Sequence, residues 1–213
     1  MEAKQKRNKK KIALWVLLGL VFAAGVTLLV LYFMSVREVD APTPDEEFDM
    51  DAEQVQVVEV KGFDPKSMKN NSIAIPSLGI EAEFYSTGRT SNGKEMALPT
   101  DLSKLGLWDE GVVDFSANEG VSLLAGHNIY NGNKGVLYDL YKVGPGDPVF
   151  VKDGKGTVTK WAVSALRAED RSDIHRELFL TKGPRVLSLV TCGGQAANGE
   201  FLNNVIVEAI KVE

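Results

Sequence analysis

From Ser72 to its C-terminus the chain is a series of short strand-like runs, cut at close intervals by turn residues, with almost no room for helices. Ile73-Ala74-Ile75 ends at Pro76, and Leu78–Tyr85 follows. Asn92-Gly93 marks a turn before Met96-Ala97-Leu98-Pro99. Val121–His127, Asp147–Lys152, Val158–Leu166, Val186–Thr191 and Val205–Val212 complete the set. Between them we expect only a helical turn over Asp101–Leu105 capped by Thr100 or Asp101, a short helix over Val136–Tyr141, and a long loop from Arg167 to Gly183 with a turn near Ser172–Leu178. Seven or eight strands of this kind predict an all-β closed barrel or a sandwich.

The N-terminal part obeys another solvent. Ile12 to Met34 is 23 residues without a charge, which at about 1.5 Å per residue spans roughly 35 Å as a helix. Residues 1–11 carry six Lys/Arg against one Glu, a balance of +5, and the residues after Met34 are acidic. The positive-inside rule then predicts a single-pass signal anchor in the cell membrane, with a cytoplasmic N-terminus and the remainder outside. A cleaved signal peptide fits less well, because the run is long and ends in Tyr32-Phe33-Met34-Ser35 rather than in small residues. Residues 35–71, with Pro42, Pro44 and an acidic run, read as a linker; Gln54–Val60 reads as a short strand or the lead-in to the domain. The expected division is therefore a basic tail (1–11), a transmembrane anchor (12–34), an acidic extracellular linker (35–71) and one folded domain (72–213).

With the whole chain at −5, everything after the basic tail sums to about −10, so there is no basic stripe for nucleic acid. There is no Gly-rich phosphate loop, no cluster of His and Cys at metal-ligand spacing, and no cofactor is expected. Glu169, Asp170 and Asp173 offer a calcium reading, against which stands the simpler one of a solvated acidic loop.

The chemistry is expected at two strand ends. Cys192, the only cysteine, closes the run Val186–Thr191 and is followed by Gly193-Gly194, which frees the backbone to turn and expose the thiol. A lone exported thiol is either buried as a small hydrophobe, paired with another molecule, or used. His127 ends a second apolar run, before a loop rich in Asn and Gly, whereas His175 lies in a charged stretch and reads as surface. A thiol needs a base or an imidazolium to act as a nucleophile near neutrality, so Cys192 and His127 form a candidate pair.

These residues resemble a known family. Ser188-Leu189-Val190-Thr191-Cys192 resembles the T-L-x-T-C signature of the sortases, and Leu124-Ala125-Gly126-His127 the strand that delivers their histidine. Gly135–Leu140 with Gly146-Asp147-Pro148-Val149, and Ile73–Ile80, are similar to two further sortase segments. The Cys-Gly-Gly ending and Asn204–Ala209 look most like class F. The resemblance implies a barrel of about eight strands and a membrane-anchored cysteine transpeptidase acting on secreted proteins with an LPxTG-like signal. Cys192 would form a thioacyl enzyme and His127 would protonate the leaving amine; the acceptor would be an amino group of a cell-wall precursor or a pilin. Thr191 is a candidate substrate-binding residue.

The family's catalytic arginine has no counterpart between Cys192 and Lys211. Its position falls on Asn204 in the commonest spacing, or on Leu202 in that of class F; alternatively Arg167, Arg171 or Arg185 reaches in from elsewhere. A thiol peptide hydrolase and a non-catalytic peptide-binding module stay open beside the transpeptidase.

Overall fold

The computed structural model describes residues 15–16, 18–31, 40–91, 93, 95–173, 176–197 and 200–212. Residues 15–16 and 18–31 are helical, and Val39–Glu213 forms a separate compact unit. Among the described residues no helix is long and apolar enough to cross a membrane. The basic tail, Ile12–Leu14, Leu17 and Tyr32–Met34 of the expected anchor lie outside them.

Among its described residues the compact unit holds eleven strands: β1 (Phe48–Asp49), β2 (Ser72–Ile75), β3 (Ile80–Thr87), β4 (Lys104–Trp108), β5 (Val121–Ala125), β6 (Ile129–Tyr130), β7 (Asn133–Lys134), β8 (Pro148–Lys152), β9 (Val158–Asp170), β10 (Val186–Ala197) and β11 (Glu200–Lys211). Eight of them run in the order β9-β11-β10-β5-β4-β3-β2-β8, and the pairing of β8 with β9 closes the sheet into a barrel. Closure removes the open edges that would otherwise invite pairing with other chains. Two neighbouring pairs, β3 with β4 and β5 with β10, are parallel.

The interior is filled by the inward side chains of these strands, including Ile73, Leu105, Leu124, Val149, Trp161, Leu187, Leu189 and Val207. The Trp161 Nε1–H donates to Thr159 Oγ1 at 3.0 Å, so its one polar atom is satisfied in the core. Leu189 is fully buried on β10, three residues before Cys192. Leu189→Ala is expected to destabilise the domain by about 2–5 kcal/mol, read as a lower urea midpoint with an unchanged slope.

Several expectations are corrected. Asp101–Leu105 is not a helical turn: Asp101 Oδ1 accepts from Ser103 N (3.0 Å) and Ser103 Oγ (2.7 Å), and the chain enters β4 at Lys104. That Asx-type turn uses the same residues that favour an N-cap. Met96–Leu98 forms no strand beyond the bridge Arg89↔Met96, and Val136–Tyr141 gives only a 3-10 turn at Leu140–Lys142. The Asn/Gly loop after His127 is a hairpin, β6–β7, whose turn residues Asn131 and Gly132 take φ of 50° and 74°.

The acidic segment from Asp40 to Asn71 is laid on the barrel. β1 pairs with β9, the Val58 amide donates to Gly146 O at 2.8 Å, and Met68 is buried. Ala41 exchanges two backbone hydrogen bonds with Gly194, at 3.0 and 2.9 Å. Backbone pairing to strand edges orders a segment whose side chains are too polar to form a core of their own. Gln54–Val60 makes no strand.

Candidate active site

The parallel pairing of β5 with β10 brings the two chemical residues to one rim. Its last paired residues are Ala125 and Val190; two positions further on stand His127 and Cys192. Cross-links lock this rim. The Gly126 amide donates to Val190 O (3.1 Å), Thr191 Oγ1–H to Gly126 O (2.8 Å), and Asn128 Nδ2–H to Cys192 O (2.8 Å). The Gly135 amide donates to Asn128 O at 2.6 Å. Gly135 lies so flat on this turn that a Cβ there would run into the His127 carbonyl.

Cys192 is partly exposed. The expected sharp turn after it is absent: β10 continues to Ala197 through a register shift between Gly193 and Ala196. The glycines serve close approach instead, since a Cβ on Gly193 would meet Val205 Cγ2 at 2.8 Å, and Gly194 sits at φ 76°.

The thiol opens onto a cavity of ≈ 640 Å³. Its floor and walls are largely apolar, with Leu98, Trp108, Leu123, Leu178, Phe179 and Val190 among them. The rings of Trp108 and Phe179 meet edge to face, centroids 5.8 Å apart. Phe179 belongs to the 3-10 turn Arg176–Phe179, so the long loop after β9 supplies one wall. Thr191 and Asn204 also line the cavity, although the Thr191 hydroxyl hydrogen is committed to Gly126. Asn204 is buried on β11, directly across from Cys192 in the β10–β11 register.

His127 lies outside this cavity lining. Its ring packs on Tyr130, centroids 4.8 Å apart, and it hydrogen-bonds the Pro99 carbonyl. Burial depresses the imidazole pKa below its ordinary value, with the Pro99 bond acting the other way. Burial also pushes the Cys192 thiol up; Arg171 pulls it down, while Glu95 and Glu200 push it further up. Both shifts favour a neutral thiol beside a neutral imidazole at pH 7. Alkylation of Cys192 by iodoacetamide across pH 6–11 is therefore expected to show a midpoint above that of free cysteine. A midpoint at or below it would mean that Arg171 outweighs burial.

The three alternative arginines part company. Arg167 is held by Glu169 and, at 2.9 Å, by Glu208. Arg185 donates to the carbonyls of Asp114, Ala117 and Gly120 and lies over Trp161 at 4.9 Å. Arg171 alone of the three lines the cavity, with Cys192. Leu202 is exposed. Among the described residues no group of three or more His, Cys, Asp or Glu is placed to hold a metal, and the side chain of Asp173 and the whole of His175 lie outside them.

A closed β-barrel with a cysteine and a histidine on adjacent parallel strand ends defines a thiol-chemistry barrel of the sortase type. Residues 73–212 match the sortase domain, and the chain belongs to the sortase family. The family comprises cysteine transpeptidases that act on LPxTG-type signals with cell-wall or pilin acceptors. Among solved structures, the chain is similar to sortase C1 of Streptococcus agalactiae (22% identity, TM-score 0.53, 67% of each chain covered). It is also similar to a lid mutant of sortase A of Corynebacterium diphtheriae (20% identity, TM-score 0.52, 67% of this chain and 69% of that one). Sortase C1 of Streptococcus suis is a third (16% identity, TM-score 0.53, 68% and 74%). At these identities the likeness is one of fold. No curated protein matches the chain.

Proposed function

We propose that this chain is a membrane-anchored cysteine transpeptidase. It cleaves an LPxTG-like C-terminal signal on secreted proteins and transfers them to an amino group of a cell-wall precursor or a pilin. The observation that carries this reading is the locked rim, where Cys192 and His127 end neighbouring parallel strands beside an apolar cavity. The apolar walls suit the leucine of such a signal, and the partly exposed thiol is reachable from the cavity. Cys192 is the nucleophile, His127 moves the proton, and Asn204 is a neutral amide donor facing the nucleophile. The 23-residue uncharged run and its basic flank support placement in the cell membrane with the barrel outside. Class F is part of this reading, on the Cys192-Gly193-Gly194 ending and the Asn204–Ala209 strand.

Intact-mass spectrometry of the full chain with a panel of LPxTG-type peptides tests it. The expected result is a thioacyl adduct on Cys192 that amines convert to an amide and water to an acid. An adduct resolved only by water points to a hydrolase. Peptide binding with no adduct points to a binding module.

A further inference from the structure

We infer that Arg171, delivered by the turn that follows β9, is the cationic catalytic residue of this site. The inference rests on the transpeptidase reading and deepens it.

Arg171 opens the 3-10 turn Arg171–Asp173, immediately after β9, whose end pairs with β11 at Asn203↔Asp170. In the β10–β11 register Asn203 stands opposite Gly193, next to Cys192. The chain therefore reaches the nucleophile's surroundings just where β9 ends. Two carboxylates orient the side chain from different elements. Glu95, in the loop before β4, accepts from Arg171 Nη2 at 2.6 Å, and Glu200, at the start of β11, lies 3.7 Å from Nη1. Both contacts engage the terminal nitrogens and leave the Nε–H edge outside them. A guanidinium held at two points is pre-organised as a donor fork.

The other cations do not take this place. Arg167 and Arg185 are bound elsewhere, as described above. Arg89 lines the cavity but is spent on Glu110, at 2.9 and 3.1 Å, and on the face of Trp108 at 5.1 Å. Arg176 also lines the cavity, yet neither it nor Arg89 is among the charges acting on Cys192, which are Arg171, Glu95 and Glu200. The neighbouring elements bring no further charge: Asn204 on β11 stands across from Cys192, Asn128 after β5 bonds the Cys192 carbonyl, and His127 ends the adjacent strand run.

In the acylation step the thiol proton passes to His127 and the sulfur forms a bond to the scissile carbonyl carbon. The π pair moves to oxygen and makes it an anion. As that pair returns, the C–N bond breaks and the proton on His127 goes to the departing amine nitrogen. On β11 the only cation is Lys211, at the end of the strand remote from the Cys192↔Asn204 pair, so no β11 cation meets the oxyanion. Arg171 meets it by donating N–H bonds that strengthen as the charge develops.

The test compares Arg171→Ala and Arg171→Lys with the wild-type full chain. Thioacyl formation from a reactive LPxTG-type peptide should fall by about 10²–10³-fold in kcat for Arg171→Ala, with KM little changed. Arg171→Lys should recover part of that loss, and thermal unfolding should confirm that both variants are folded. A full kcat for Arg171→Ala, a loss confined to KM, or a Lys variant no better than Ala would each overturn the assignment. Iodoacetamide alkylation needs no peptide. Its midpoint should move up in Arg171→Ala, because the thiolate loses its cation, and an unmoved midpoint would also count against Arg171. A wild type that makes no adduct with any peptide defeats the transpeptidase reading, while the alkylation midpoint still decides whether Arg171 acts on the thiol.

Discussion

With Cys192 replaced by alanine, the chain is expected to fold and to bind an LPxTG-type peptide, while turnover drops by on the order of 10⁴-fold or more. The chain has a single cysteine, so no second thiol can take over. The loss should fall on kcat, since the apolar cavity that receives the peptide keeps its walls. Stability should change by about 1 kcal/mol or less, because a single sulfur is removed from a half-buried position. The decisive comparison is peptide affinity by calorimetry beside turnover by mass spectrometry. Residual turnover above about a hundredth of wild type would show that another group carries the reaction.

Gly135→Ala should produce the second large effect, from a residue that touches no substrate. Its added Cβ collides with the His127 carbonyl, so the turn carrying the imidazole must move. The Gly135 amide bond to Asn128, and through Asn128 the bond to the Cys192 carbonyl, are strained with it. A displacement near 1 Å at a catalytic group costs about 10²-fold in rate. We expect a kcat loss of that order while Cys192 remains open to alkylation, because β10 is held independently by β11. A crystal structure of the variant would show the shifted turn; wild-type turnover in the variant would mean that the loop absorbs a methyl without cost.

The strands that build the core were legible because their residues state their own environment. Val121–His127 and Val186–Thr191 are largely apolar on both faces, as suits strands covered on both faces, and β5 is buried along its whole length; Val158–Leu166 alternates in sequence. Cys192 and His127 followed from these, since each ends such a run. Other parts depend on partners that a linear reading does not contain. β4 was hidden by Asp101 and Ser103, which suit a helix cap and an Asx turn equally. β10 runs on past Cys192, and β11 starts before Val205, over polar and glycine residues because each is the other's backbone partner. The order of the acidic segment has the same origin, in Ala41 against Gly194 and β1 against β9. Arg171 was one of three arginines that the sequence left open as a replacement, and only the end of β9 at the nucleophile distinguishes it from Arg167 and Arg185.

The parallel pairing of β5 and β10 has a consequence for how such a protein can diversify. Two parallel neighbours deliver both chain ends to the same rim without a turn joining them, so the reactive pair is placed by sheet registry and by the cross-links at the strand ends. Leu123 and Val190 of these strands line the cavity, but much of its wall comes from other stretches, the loop before β4 with Met96 and Leu98 and the turn with Leu178 and Phe179. Those stretches can be exchanged, lengthened or recoloured in charge while the thiol and imidazole keep their spacing. Recognition and reactivity are thereby separate inheritable modules on one barrel, and a change of target peptide need not pass through an inactive ancestor.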